Sequence, residues 1–169
     1  MLSLVHDMVS MIKKNFFYII FILIIFLLDR ISKFAIIHQT EKYGSIIYKI
    51  NPFLNFELIW NQGIAFGMFS LSNQSYYNLL TLIIGIITVI ILVFVIKTVG
   101  AEKYGFMMIF GGSLGNIFDR LYYSSVPDFI DIHYNNFHWF IFNVADIFIT
   151  IGVLLLIYIE FFKKKKWLK

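Results

Sequence analysis

Residues 111–128, GGSLGNIFDRLYYSSVPD, put ionisable side chains at the end of an apolar segment, which few folds tolerate. The preceding FMMIFGGSL is apolar or small throughout, so Asn116, Asp119 and Arg120 belong to a hydrophobic helix or its mouth. Charges so placed face a bundle interior or a wet cavity, because lipid cannot solvate them. Asn116 and Asp119 are three apart and share a helix face, and FNVAD repeats that spacing with Asn143 and Asp146.

How many such segments exist follows from composition. With 60% hydrophobic and only 14% charged residues, a chain of 169 is too apolar for a soluble domain and reads as an integral membrane protein. Cysteine is absent, which removes disulfides, thiolate nucleophiles and cysteine-based metal sites. The net charge of +4 lies at the flanks of apolar segments, with no basic patch interleaved with aromatics. It therefore speaks for membrane topology and against nucleic acid as a partner.

The expected architecture is one integral membrane domain over 1–169, an all-α bundle with spans at about 16–37, 78–96, 104–122 and 140–162. A secretory signal would also begin with Lys13, Lys14 and an apolar run, but this run continues through Asp29, Arg30 and Lys33 without a convincing small-residue cleavage site. Asp29 and Lys33, four apart, can pair on one face; the competing reading is a pair snorkelling to the interface. Outer loops are expected at about 38–77 and 123–139, the second irregular. Within the first, LNFELIW alternates, with Leu54, Phe56, Leu58 and Trp60 on one side and Asn55, Glu57 and Ile59 on the other, as in a half-buried strand. NQGIAFG follows as a compact turn, in which Asn61 reads as a turn residue or a backbone partner. Glycines 111, 112 and 115 leave the third span little bulk, which lets helices approach closely. Lys13, Lys14, Lys97, Lys103, Lys163 to Lys166 and Lys169 all fall on one side of this scheme, so that side and both termini are cytoplasmic.

Carboxylates gathered in a low-dielectric site share a proton, which supplies an acid and a base together. The base takes a proton from water as it attacks an amide carbonyl, and the acid protonates the carbonyl oxygen. Asp119, Asp128 and Asp146 are the candidates, and spacing leaves open which two pair, or whether all are structural carboxylates held by Arg120 and the asparagines. Rival chemistries have residues too. Asp128, Asp131, His133 and His138 offer metal ligands but match no ligand motif such as H-E-x-x-H. Ser124 or Ser125 with His133 and Asp131 lacks a nucleophile elbow. A proton-linked transporter would explain intramembrane acids, but the span without charge and the lack of an evident repeat weigh against it.

GGSLGNIFDR, VPDF and FNVAD, with DRISK and NQGIAFG upstream, resemble the ordered motifs of signal peptidase II, the bacterial lipoprotein signal peptidases, from Asp29 to Asp146. The resemblance implies a four-helix inner-membrane aspartic endopeptidase with a small β-rich extracytoplasmic cradle in the first outer loop. It would cut prolipoproteins before a lipid-modified cysteine, as a monomer in the lipid bilayer, with no metal and no cofactor. By motif position Asp128 and Asp146 would form the catalytic pair. Asp119, Arg120, Asn116 and Asn143 would support the site, and Asp29, Lys33, Asn61, Gly63 and Ala65 would shape it or contact substrate. The chain departs from the pattern at Pro127, Ile141 and Ile147, none of which removes a carboxylate.

Overall fold

The computed structural model describes residues 2–63, 74–135 and 137–166, with side chains over 15–63, 75–135 and 137–162. Helices α1 (Leu2–Tyr43), α2 (Gln74–Lys97), α3 (Glu102–Tyr123) and α4 (Val144–Lys166) accompany one antiparallel sheet. Its strands β1 (Tyr48–Asn51) and β2 (Leu54–Asn61) lie between α1 and α2, and β3 (Val126–Tyr134) and β4 (Phe137–Phe142) between α3 and α4. Strand order follows chain order.

Among the described residues, two helical stretches, Ser75–Lys97 and Val144–Phe162, are long and apolar enough to cross a membrane by length and composition. Sidedness of polarity is inverted relative to a soluble protein: Leu23, Leu27, Leu82 and Ile86 are exposed, whereas Asp29, Lys33, Asp119 and Arg120 are buried. Helix α3 is central and packs on each of the other three. Its buried positions, Gly105, Met107, Gly111, Gly112, Gly115, Asn116, Asp119 and Arg120, combine the glycines with the polar groups. A Cβ on Gly112 would lie 2.6 Å from the Ala145 carbonyl oxygen, and one on Gly115 2.5 Å from Asp29 Oδ2. The small residues thus admit both the α4 backbone and a carboxylate from α1.

Several boundaries differ from the sequence expectation. Helix α1 continues to Tyr43, about 63 Å at 1.5 Å per residue, and stops where Gly44 takes φ 84° and donates its N–H to Thr40 O at 2.9 Å. The stretch expected as an irregular loop at 123–139 is largely β3 and β4, so half the sheet comes from the second connection and not the first. The fourth helix begins at Val144, after a strand occupying the start of the expected span. FHWFIF is a short aromatic run, which periodicity does not separate from a helix start; its six residues and aromatic content suit a strand.

The alternation in β2 is also interrupted. Phe56 pairs with Ile130 but Ile59 with Asp128, so β2 carries one extra residue between them. Such a bulge reverses which face later residues occupy. Asn55, before the bulge, pairs with Asp131, while Asn61, beyond it, pairs with Val126 and joins the face of Asp128. Pro127 sits where β3 pairs with β2 at Trp60 but β4 has not yet joined, an edge position that tolerates its missing N–H.

Gly112→Ala should lower stability by about 1–3 kcal/mol through overpacking of α3 on α4. Gly85→Ala, with nothing within 4 Å of an added Cβ, should leave stability unchanged or slightly raised. Thermal unfolding in detergent distinguishes them; equal melting of the two variants would contradict the packing account.

Candidate active site

Two carboxylates and two cations meet between α1 and α3. Asp119 accepts Arg30 Nη1 on Oδ1 at 2.5 Å, and Arg30 Nη2 and Lys33 Nζ on Oδ2 at 2.8 and 2.6 Å. Asp29 accepts Arg30 Nη2 at 2.6 Å and lies 3.0 Å from Lys33 Nζ. The formal charges cancel, and Asp29, Lys33 and Asp119 are buried almost completely. The Arg30 guanidinium carbon lies 4.8 Å from the Phe118 ring centroid, which shields its outer side. The Asp29–Lys33 pair is therefore an internal ion pair and not a snorkelling one.

This cluster holds the start of α4. Asp29 Oδ1 accepts the Ala145 N–H at 2.9 Å, one of the amides a helix start leaves unpaired. Asn143, just before α4, accepts the Asp146 N–H on its side-chain oxygen at 3.1 Å, and the Asp146 carboxylate accepts the Asn143 N–H at 3.2 Å. That reciprocal pair is a capping box built from Asn and Asp. Its spacing matches that of Asn116 and Asp119, but the jobs differ. Asn116 is internal to α3, accepts Lys33 Nζ at 2.9 Å and donates to Asp146 Oδ1 at 2.8 Å.

Asp128 comes to the same place from the sheet. Its two oxygens accept Asn143 Nδ2 at 2.6 Å and Asn61 Nδ2 at 2.8 Å, while Asn61 Oδ1 takes the Gly63 N–H at 2.8 Å. Asn61 is thus both turn residue and carboxylate partner. Asp128, Asp146, Asn61, Asn116, Arg120 and Asn143 line one cavity of about 160 Å³. Burial first, and the neighbouring Asp146 charge second, push the Asp128 carboxyl up to about 6, against the lowering effect of Asn61 and Asn143. Asp119 does not line that cavity.

The sequence profile of the family described as signal peptidase (SPase) II matches residues 4–162. The chain belongs to the signal peptidase II family. It is 49% identical over 155 residues to a lipoprotein signal peptidase of Pelagibacter ubique (strain HTCC1062), covering 90% of this chain and 93% of that one. Identity to a lipoprotein signal peptidase of Wigglesworthia glossinidia brevipalpis is 44% over 142 residues, 81% and 89% of the two chains. The fold is similar to a solved bacterial membrane enzyme at 29% identity, with a TM-score of 0.72 over 90% of this chain and 91% of that one. These matches lend nothing to the transporter alternative.

Within this signal peptidase II chain, the residues expected at the site separate into two groups. Asp128, Asp146, Asn61, Asn116, Arg120 and Asn143 converge on the cavity, and Asp29, Lys33 and Asp119 form the charged cluster behind it. Gly63 is buried beside them and its carbonyl accepts Arg120 Nη2 at 3.0 Å. Ala65 lies outside the described residues. Asp119 and Arg120, though adjacent in sequence, do not pair: among the described residues Asp119 bonds Arg30 and Lys33, and Arg120 bonds the carbonyls of Gly63 and Asn116. Arg30 was missed as a site residue; its only sequence signal is a third charge beside Asp29 and Lys33 in an apolar run. The four metal-ligand candidates are also divided, with Asp131, His133 and His138 grouped together and Asp128 facing the cavity. Ser125 donates to Tyr123 O at 3.3 Å, a turn contact.

Removing Arg30 charge leaves two buried carboxylates facing one lysine. Arg30→Met should cost about 3–5 kcal/mol, and Arg30→Met with Asp119→Asn should recover part of it because Asp29 and Lys33 remain balanced. Unfolding in detergent measures both; an unperturbed single variant would contradict the cluster's role.

Proposed function

We propose that this chain is a membrane-embedded aspartic endopeptidase that removes the signal peptide of lipid-modified prolipoproteins by cutting before the diacylglyceryl cysteine, with Asp128 and Asp146 as the catalytic pair. The observation that carries this is the bridging of the two carboxylates by Asn143, whose side chain bonds Asp128 and whose backbone N–H bonds Asp146 in a shared cavity. Asp119 is the weaker candidate because Arg30 and Lys33 hold it in ion pairs outside that cavity. Asn61, Asn116 and Asn143 donate to the pair and hold its orientation.

In the reaction, the ionised carboxyl takes a proton from water as the water oxygen bonds the scissile carbonyl carbon. The protonated carboxyl gives its proton to the carbonyl oxygen, forming a neutral gem-diol. Proton return to the leaving nitrogen then accompanies C–N cleavage and releases the new amine and carboxyl termini. No covalent enzyme intermediate and no metal are needed. Support for a lipid-bearing substrate comes from an open apolar cleft of about 450 Å³ that reaches Asp146 between β4 and α4, lined by Trp139, Phe140, Phe142, Ile147 and Ile151.

All four helices cross the membrane in this reading, because the charges of α1 and α3 are turned onto one another and away from lipid. The lysines of 97, 103 and 163–166 lie at the ends of helices remote from the sheet, so the sheet is extracytoplasmic and both termini cytoplasmic. The protein acts as a monomer in the bacterial inner membrane.

Purified protein given a diacylglyceryl-modified precursor should cleave it and leave an unmodified control intact. Asp128→Asn and Asp146→Asn should each lower turnover by at least roughly 10²–10⁴-fold while keeping the fold and peptide-inhibitor binding, and Asp119→Asn should lower stability or activity partially. Near-normal turnover of Asp128→Asn beside a folded, inactive Asp119→Asn would reassign the pair.

A further inference from the structure

Behind the face of β3 that carries Asp128, strand periodicity puts Asp131 and His133 together on the opposite side. A second bulge brings a third group to them. Asp131 pairs with Ile141, but His133 pairs with His138, so β4 holds one extra residue in between. A regular ladder would have set Trp139 opposite His133. The bulge instead stacks the two imidazoles, with centroids 5.2 Å apart and planes 19° from parallel.

We propose that Asp131, His133 and His138 form a zinc-type divalent metal site that clasps β3 to β4, separate from the peptidase cavity and independent of the peptidase reading. The Asp131 side chain is 1% exposed, and no lysine or arginine pairs with it among the described residues. His138 Nδ1 lies 3.0 and 2.9 Å from its two oxygens. His133 Nδ1 lies 3.7 Å from Oδ2, beyond hydrogen-bond reach, and is buried with no hydrogen-bond partner among the described residues. An orphaned ring nitrogen aimed at a buried carboxylate is costly without a further occupant. One ligand atom from each of the three residues lies within 4.8 Å of the others. Bonds of about 2.0–2.2 Å in a tetrahedral zinc site put ligand atoms about 3.3–3.6 Å apart, so small shifts of the rings would admit the ion.

The donor set selects the metal class. Two imidazoles and a carboxylate suit zinc and its transition-metal neighbours, whereas calcium and magnesium require oxygen ligands. Asn55 donates to Asp131 Oδ2 at 3.1 Å, which fixes the carboxylate and leaves Oδ1 for the ion. The His138 side chain is 56% exposed, which gives a path in from solvent and room for water at the remaining position.

The test is calorimetric titration of Zn²⁺, with Mg²⁺ as control, into metal-stripped full-length protein in detergent and free of a histidine tag. Co²⁺ absorption reports ligand type. One equivalent of Zn²⁺ should bind and Mg²⁺ should not. The pair His133→Ala and His138→Ala should weaken binding at least a hundredfold, Asn55→Ala by about 10–100-fold, and Asp128→Asn should leave it unchanged. No stoichiometric binding, equal binding in the double variant, or loss in Asp128→Asn alone would overturn the proposal. If the double variant does not fold, His138→Ala decides: weakened binding supports the site and unchanged binding refutes it.

Discussion

The ion cluster of Asp29, Arg30, Lys33 and Asp119 is the contact on which the position of everything else depends. Burying such groups is not in itself a route to stability, since desolvation offsets much of the attraction. Its consequence here is positional. Asp29 bonds the Ala145 N–H as well as the cations, and Lys33 bonds Asn116, which in turn bonds Asp146. Two paths therefore run from the cluster to the first turn of α4. Gly115 makes the approach possible, because any side chain there would occupy the place of the Asp29 carboxylate.

Four aspartates lie within this assembly, and their partners divide them. Asp29 and Asp119 are each held by Arg30 and Lys33 in ion pairs. Asp128 and Asp146 receive their side-chain hydrogen bonds from the amides of Asn61, Asn116 and Asn143, which orient a carboxyl without supplying charge. With burial unopposed by a paired cation, Asp128 is pushed up to about 6, into the range where a proton can be exchanged near neutral pH. The same residue type thus serves as fixed counter-ion and as exchangeable acid within one site, according to the donor it meets.

Much of this was legible in the chain. The apolar segments gave the helices, and the two Asn-x-x-Asp pairs named four residues of the assembly. What spacing did not carry was long-range partnership. Asp119 reaches Arg30 across 89 residues in place of the adjacent Arg120, because helix packing and not proximity in sequence sets which cation it meets. The bulges were equally hidden. LNFELIW alternates regularly as text, yet one extra residue moves Asn61 to the face of Asp128. VPDFIDIHY reads as a polar loop because Asp128 and Asp131 occupy opposite faces that are both buried, which removes the usual alternation of apolar and polar positions.

The central claim, that amide-held Asp128 is the carboxyl that exchanges a proton near neutral pH, is tested most directly by infrared titration of the carboxyl groups in detergent-solubilised protein. The account predicts a protonated-carboxyl band that titrates near pH 6, disappears in Asp128→Asn and persists in folded Asp119→Asn. A band lost in Asp119→Asn and unaltered in Asp128→Asn would contradict it.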